Sequence, residues 1–230
     1  MNVSVLGPPG CGKGTQAKLL AAHFGLKHFS LGETLRGEIE HGSDLGARTA
    51  AFVREGNLVP DQLVEEIVET FVSRNPGKGF VLDGYPRTLE QAIVLGRILK
   101  LSAVLLFEVS EDEVVARVQG RVIDDQGRSY HIPKNPPPPG IRVRKREDDQ
   151  PEIVHKRYHE YTRDILPIAD LYRKQGTLVP INAVGSIGAV LDQLLQKLSE
   201  NGSDRKVSAP DETHRNHSPL PPEGPTTRSP

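Results

Sequence analysis

Val3-Ser4-Val5-Leu6-Gly7-Pro8-Pro9-Gly10-Cys11-Gly12-Lys13-Gly14-Thr15 is the stretch whose reading decides the fold. Residues 3–6 are an apolar run, the end of a buried strand over 2–6. Lys13 opens a helix-forming stretch, Thr15-Gln16-Ala17-Lys18-Leu19-Leu20-Ala21-Ala22. Between them the glycines at 7, 10, 12 and 14 carry no Cβ, so the backbone can curl and aim several N–H groups at one point. The helix start adds its positive dipole end, and Lys13 adds a mobile full charge for β/γ-phosphates. Strand, glycine spacing, lysine and helix in this order make a phosphate-binding loop. One place departs from the general pattern. Gly14 stands where Ser or Thr usually follows the lysine to bind Mg²⁺, and Thr15 comes next. An Mg²⁺ ion would then lean on phosphate oxygens, waters and an acid elsewhere.

Working outward, apolar runs alternate with helical patterns, which predicts an α/β chain with a parallel sheet covered by helices. Strands are expected at 2–6, 27–29, 79–83, 103–109 and 178–182. Helices are expected at 13–24, 32–41, 44–54, 61–74, 88–100, 111–120, 150–175 and 187–199. Val81-Leu82-Asp83 and Ala103-Val104-Leu105-Leu106-Phe107 read as central strands buried on both faces. Pro167 is expected to kink helix 150–175.

Two stretches leave this rhythm. Residues 30–59 supply two short helices between the second and third strands. Residues 121–149 are polar and proline-rich, and carry Arg128, Lys134, Arg142, Arg144, Lys145 and Arg146. An insertion of this length in a compact domain is usually functional, so the segment reads as a mobile lid with a small hairpin over 121–130; a plain linker is the competing reading. From Asn201 onward six of thirty residues are proline and only Val207 and Leu220 are sizeable apolar residues. That tail, 201–230, is expected to be disordered because it can bury too little to offset its ordering entropy.

The 230 residues carry a formal charge of −1, which gives no support for nucleic-acid or membrane attraction. The single cysteine, Cys11, excludes a disulfide framework and a cysteine-rich zinc site. Its place inside the loop suits a small filler better than a catalytic thiol. No apolar run is long enough to span a membrane, and the first apolar run leads into the loop rather than a cleavage site. The expectation is a soluble cytoplasmic monomer.

A second motif, Asp83-Gly84-Tyr85-Pro86-Arg87-Thr88, ends an apolar strand. Ligands of open α/β sheets bind at the carboxyl ends of strands, so Asp83 should face the nucleotide and hold a water of the Mg²⁺ shell. Gly84 and Pro86 turn the chain, and Arg87 projects into the cleft. Arg36, Arg121, Arg146 and Arg157 recur in the inserted lobe and around the lid. Phosphoryl transfer needs in-line positioning and positive charge on the moving oxygens, and arginine supplies that with a planar, permanently charged fork.

Across residues 1–200 the chain resembles the adenylate kinases among the nucleoside monophosphate kinases. The resemblance rests on the phosphate loop, Arg36, Gly56-Asn57-Leu58-Val59, the Asp83–Arg87 turn, Gln91 and Gly120-Arg121. It continues through Gly127-Arg128-Ser129-Tyr130-His131, Asn135-Pro136-Pro137, Arg146 through Asp149, and Arg157. It implies a P-loop nucleoside-kinase fold with a five-stranded parallel sheet, an AMP-binding lobe at 30–59 and a lid at about 121–158. It implies transfer of the γ-phosphoryl of Mg-ATP to AMP, giving two ADP. By resemblance, Gly10, Cys11, Gly12, Lys13, Gly14, Thr15, Arg121, Ser129, Tyr130 and Gly185 hold ATP. Leu31, Arg36, Asn57, Leu58, Val59, Gly84, Tyr85, Pro86, Arg87 and Gln91 form the AMP site, with Arg146 and Arg157. Lys13, Arg87, Arg121, Arg146 and Arg157 surround the transferred group, and Asp148 and Asp149 orient lid arginines. Three features depart from the family pattern. Leu31 stands where Thr is usual, the lid is intermediate in length, and the four zinc cysteines of some long lids are absent, so closure is expected without zinc. A UMP/CMP kinase or a GTP-dependent AMP kinase on the same scaffold is the near alternative; a nucleotide-dependent assembly factor is the non-enzyme one.

Overall fold

The computed structural model describes the backbone of residues 1–207 and the side chains of residues 1–200. Five strands, β1 (Asn2–Leu6), β2 (Lys27–Ser30), β3 (Phe80–Asp83), β4 (Ala103–Glu108) and, late in the chain, Leu178–Asn182, form one parallel sheet. Residues 2–6 lie at its centre, between β3 and β4. The helices are α1 (Lys13–Phe24), α2 (Leu31–Glu40), α3 (Asp44–Glu55), α4 (Asp61–Ser73), α5 (Leu89–Ile98), α6 (Glu111–Gln119), α7 (Pro151–Lys174) and α8 (Ile187–Val207). Three short strands, β5 (Arg121–Asp124), β6 (Ser129–His131) and β7 (Val143–Arg144), make a separate antiparallel sheet in the order β6-β5-β7. The last strand of the large sheet is therefore β8.

Side-chain alternation shows why the large sheet is buried on both faces. Val3 and Val5 of β1, Val81 of β3 and Ala103, Leu105 and Phe107 of β4 point to one side, where Ala17 and Leu20 of α1 and Val190 and Leu194 of α8 cover them. Leu6, Phe80, Leu82 and Val104 point to the other, under Leu35, Val64, Leu95 and Ile168 of α2, α4, α5 and α7. Both sets are apolar, which is the pattern of a doubly covered parallel sheet. Burying each valine, leucine, isoleucine or phenylalanine among them contributes about 1.5–3 kcal/mol of transfer free energy. Ser4 is the polar exception in β1. It is fully buried, and its hydroxyl donates to the Tyr85 carbonyl at 2.6 Å, tying the central strand to the turn after β3.

The register aligns the chemistry. Val5 pairs with both Asp83 and Leu105, and Ser30 pairs with Asp83, so the phosphate loop, Asp83 and the start of α2 leave the sheet at one edge. Element bounds fall within two residues of expectation except at the last helix, which continues to Val207 rather than stopping at 199. Gly202 costs about 1 kcal/mol in a helix, too little to end one by itself. The remainder of the expected tail, residues 208–230, lies outside the described residues. Helix α7 continues unbroken through Pro167. That proline sits on the exposed face, where water can serve the carbonyl it leaves without a donor. Among the described residues no helix is long and apolar enough to cross a membrane.

Candidate active site

The loop between β1 and α1 wraps a cleft of about 460 Å³, a volume suited to a nucleotide. Gly10 and Gly12 hold φ of 80° and 94°, conformations that favour glycine. A Cβ on Gly10 would also stand 2.5 Å from Val118 Cγ2, so the loop is seated tightly on α6. Gly12 caps α1, whose first N–H groups face the cleft without a side-chain partner. Lys13 is half-buried and its Nζ donates to the Pro8 carbonyl at 3.0 Å, a contact a phosphate can take over. Burial pushes its ammonium pKa down. Cys11 is buried, and burial pushes its thiol up, so it acts as a filler and not a thiolate.

Opposite the loop stands a cluster of guanidinium groups. Arg146 donates to Asp148 through Nε at 2.9 Å and Nη2 at 2.5 Å, and Arg157 donates to the same carboxylate at 2.6 Å. Burial opposes ionisation of Asp148, but Arg146 and Arg157 outweigh it and hold the carboxyl far below its usual range. Asp149 accepts from Arg121 through Nε at 2.9 Å and through Nη2. Asp148 joins Arg146 to α7, and Asp149 fixes Arg121 at the start of β5. Arg36 and Arg87 have no carboxylate within 4 Å among the described residues. Burial and the neighbouring Arg146 push Arg36 down to about 10, and burial and Arg157 do the same to Arg87. Both remain charged near neutrality. The site thus collects more fixed cations than anions, and a polyphosphate corrects the imbalance.

A smaller cavity of about 50 Å³ adjoins the cleft, lined by Leu31, Arg36, Asn57, Leu58, Val59, Arg87, Gln91, Asp148 and Arg157. It receives most of the residues expected around AMP. Gly84 and Pro86 line an adjoining hollow beside Lys13 and Arg87. Tyr85 faces elsewhere: its side chain is fully buried in the core beneath the turn. Gln91 is buried with its amide already bonded, Oε1 accepting from the Arg87 N–H at 2.8 Å and Nε2 donating to Asp61 at 2.7 Å. Ser129, Tyr130 and Gly185 reach the larger cleft. Asp83 is buried beside Gly14, with Oδ1 lacking any hydrogen-bond partner.

Arg117 escaped the sequence reading. Its Nη1 and Nη2 donate to the carbonyls of Cys11 and Ala183, both at 2.8 Å, while Glu113 receives its Nε at 2.7 Å. It pins the phosphate loop to the segment after β8. The available signal was its place one helical turn before Arg121. His131 also lines the cleft, with both ring nitrogens unpartnered and its pKa pushed down by burial. In the small antiparallel sheet, buried Asp124 accepts from the Gln126 and Arg128 N–H groups, from Arg128 Nε and from the Tyr130 hydroxyl. That carboxylate organises the hairpin tip, and among the described residues no group of three or more His, Cys, Asp or Glu is placed to hold a metal ion.

A family model for adenylate kinase matches residues 5–177. The chain belongs to the adenylate kinase family. It is 38% identical over 213 residues to the adenylate kinase of Methanothrix thermoacetophila, covering 87% of this chain and 99% of that protein. The adenylate kinase of Chloroherpeton thalassium is 37% identical, covering 85% and 98%. That of Streptomyces avermitilis is 36% identical over 220 residues, covering 89% and 100%. The α/β fold with its central parallel sheet is the P-loop fold of this family, and the chain is an ATP:AMP phosphotransferase. These relatives do not favour the pyrimidine-nucleotide or assembly-factor readings.

Proposed function

We propose that the large cleft holds ATP, the small cavity holds AMP, and the arginine cluster between them carries the transfer. The observation that supports this division is the surplus of cations where the two cavities meet: Arg36, Arg87 and Arg157 line both, and Asp148 holds Arg146 and Arg157 together. The loop glycines, Cys11, Lys13 and Thr15 cradle the donor phosphates through backbone N–H groups and one ammonium. Arg36 and Arg87 hold the acceptor phosphate. Arg121, Arg146 and Arg157 share the charge on the moving phosphoryl, which asks for electrostatic stabilisation and alignment more than covalent chemistry. Tyr130 and Ser129 contact the donor from the lid, and the backbone near Gly185 meets its base.

Mg²⁺ accompanies ATP in this reading, and the residues fit it. The orphaned Asp83 Oδ1 offers an acceptor for a water of its shell, and Gly14 keeps the space beside that carboxylate open. The ion supplies charge neutralisation at the β/γ-phosphates. Residues 1–200 act as one kinase unit, with 30–59 as the acceptor lobe and 121–158 as the lid. One chain supplies every site residue, which supports a working monomer. The lone buried Cys11 is compatible with a cytoplasmic setting.

The test is a split in kinetic constants. Arg36→Ala removes a guanidinium read as holding the acceptor phosphate, so it should raise KM for AMP about tenfold or more while KM for ATP stays within about twofold. Equal increases for both substrates would refute the division.

A further inference from the structure

Asp61 opens α4 and Thr88 caps α5, where no reading of the motifs gave either a task. The two residues and Gln91 form a closed set of hydrogen bonds. Gln91 Nε2 donates to Asp61 Oδ1 at 2.7 Å, the Thr88 hydroxyl donates to Asp61 Oδ2 at 3.0 Å, and the Gln91 N–H donates to Thr88 Oγ1 at 3.1 Å. On its other side Gln91 Oε1 accepts from the Arg87 N–H at 2.8 Å.

Each partner of the Gln91 amide can play only one part. A carboxylate accepts and does not donate; a backbone N–H donates and does not accept. Turning the amide over would set oxygen against carboxylate and NH₂ against N–H, leaving both buried pairs unmade. The orientation is therefore fixed by chemistry. What is left over is also fixed: one N–H donor on Nε2 and one lone pair on Oε1, in a cavity walled by Leu31, Leu35, Val59 and Val64.

We infer that Asp61 is a positioning residue, locking the Gln91 amide so that the acceptor pocket selects a 6-amino-purine over a 6-oxo-purine monophosphate. This rests on the reading that Gln91 meets the acceptor base. Adenine offers an amino donor next to a ring-nitrogen acceptor. Hypoxanthine is nearly the same size, but its six-position carries an accepting oxygen and its N1 carries a proton. A glutamine free to turn could serve either base by swapping its ends. A locked one serves only the first. Leu31 has no hydroxyl to assist, and the Asn57 amide is engaged by Glu55 and Lys156, so much of the polar choice falls to Gln91.

The test compares kcat/KM for AMP and for IMP, with ATP as donor, in three proteins. Asp61→Asn keeps the shape but lets position 61 donate as well as accept, which removes one of the two locks. The AMP-to-IMP ratio should fall about tenfold, the size of one buried polar mismatch. The gain should lie mainly in KM for IMP, with kcat for AMP within about threefold. Gln91→Leu should collapse the ratio whatever residue 61 is. A collapsed ratio in Gln91→Leu with an unchanged ratio in Asp61→Asn overturns the role of Asp61 and leaves that of Gln91 standing. An unchanged ratio in both overturns the reading of Gln91 itself. An equal loss for AMP and IMP in Asp61→Asn marks a merely structural carboxylate and also overturns the inference. Should Asp61→Asn fold poorly, Thr88→Val removes Asp61's second partner and should lower the ratio by a smaller factor; an unchanged ratio there counts against the proposal.

Discussion

Asp148→Asn removes one negative charge from the centre of the arginine cluster. The carboxylate is 7% exposed, and its partners Arg146 and Arg157 are 13% and 20% exposed, so water screens the pairs weakly. Breaking a buried pair costs about 3–5 kcal/mol because an uncompensated charge remains. Asparagine keeps one accepting oxygen, which places the expected loss near 3 kcal/mol at pH 7. For a domain of this size that is a fall in Tm of about 6–12 °C. The pH dependence has a definite sign. Asp148 is held below its unfolded pKa, which is about 3.9, so its contribution is complete above that pH and is lost as acid protonates the folded carboxyl. The gap between wild type and variant should therefore be wide at pH 7 and narrow toward pH 3. Urea unfolding at both pH values measures it. A loss under about 0.5 kcal/mol at pH 7, or a gap that widens in acid, would refute the claim that Asp148 holds the cluster together.

Lys13→Met keeps much of the stem and deletes the charge at the loop–helix junction; kcat should fall about 10²–10³-fold, and near wild-type turnover in a coupled assay would refute the phosphate role. Gly10→Ala forces a Cβ into Val118 at a left-handed backbone position, so it should lose about 1–3 kcal/mol of stability. Reversing that loss in part with Val118→Ala, read by thermal melts, would confirm the collision; no recovery would place the strain elsewhere. Amide hydrogen exchange across 121–149 should slow when a bisubstrate dinucleotide binds, because the lid arginines reach phosphates on closure; unchanged exchange there would make the segment a plain linker.

The fold was legible because its strands are apolar on both faces and its turns are glycine punctuated. Ala103 through Phe107 could only be a central strand, and Gly10 through Lys13 could only follow one. Arg87, Arg121 and Arg146 were legible too, since each sits next to a turn or an element end. What escaped was partnership. Nothing in the spacing of Asp61, Thr88 and Gln91 announces that two helix starts share one carboxylate across 27 and 30 residues. Arg117 was hard to read because the two contacts that tie it to the loop and to the segment after β8 go to backbone carbonyls, and only its place one turn before Arg121 marked it. The third strand of the lid has two residues, Val143 and Arg144, too few to show a period of two. The last helix runs past Gly202 and α7 runs through Pro167, because local propensity is weak against a helix whose other turns are satisfied.

The contacts that bring the outlying lobes together are of another kind from those that hold the sheet. Arg144 of the lid reaches Glu40 of α2 at 2.5 Å, and Arg54 of α3 lies 3.9 Å from Glu147, all four side chains at least half exposed. Such pairs are worth roughly 0–1 kcal/mol each and are screened over about 8–10 Å at ordinary ionic strength. The sheet core, being apolar, is indifferent to dilute salt. In the proposed division, then, ionic strength is a control knob for the pairs between lid and acceptor lobe: a few tenths of molar salt should loosen them and leave the sheet scaffold unmoved.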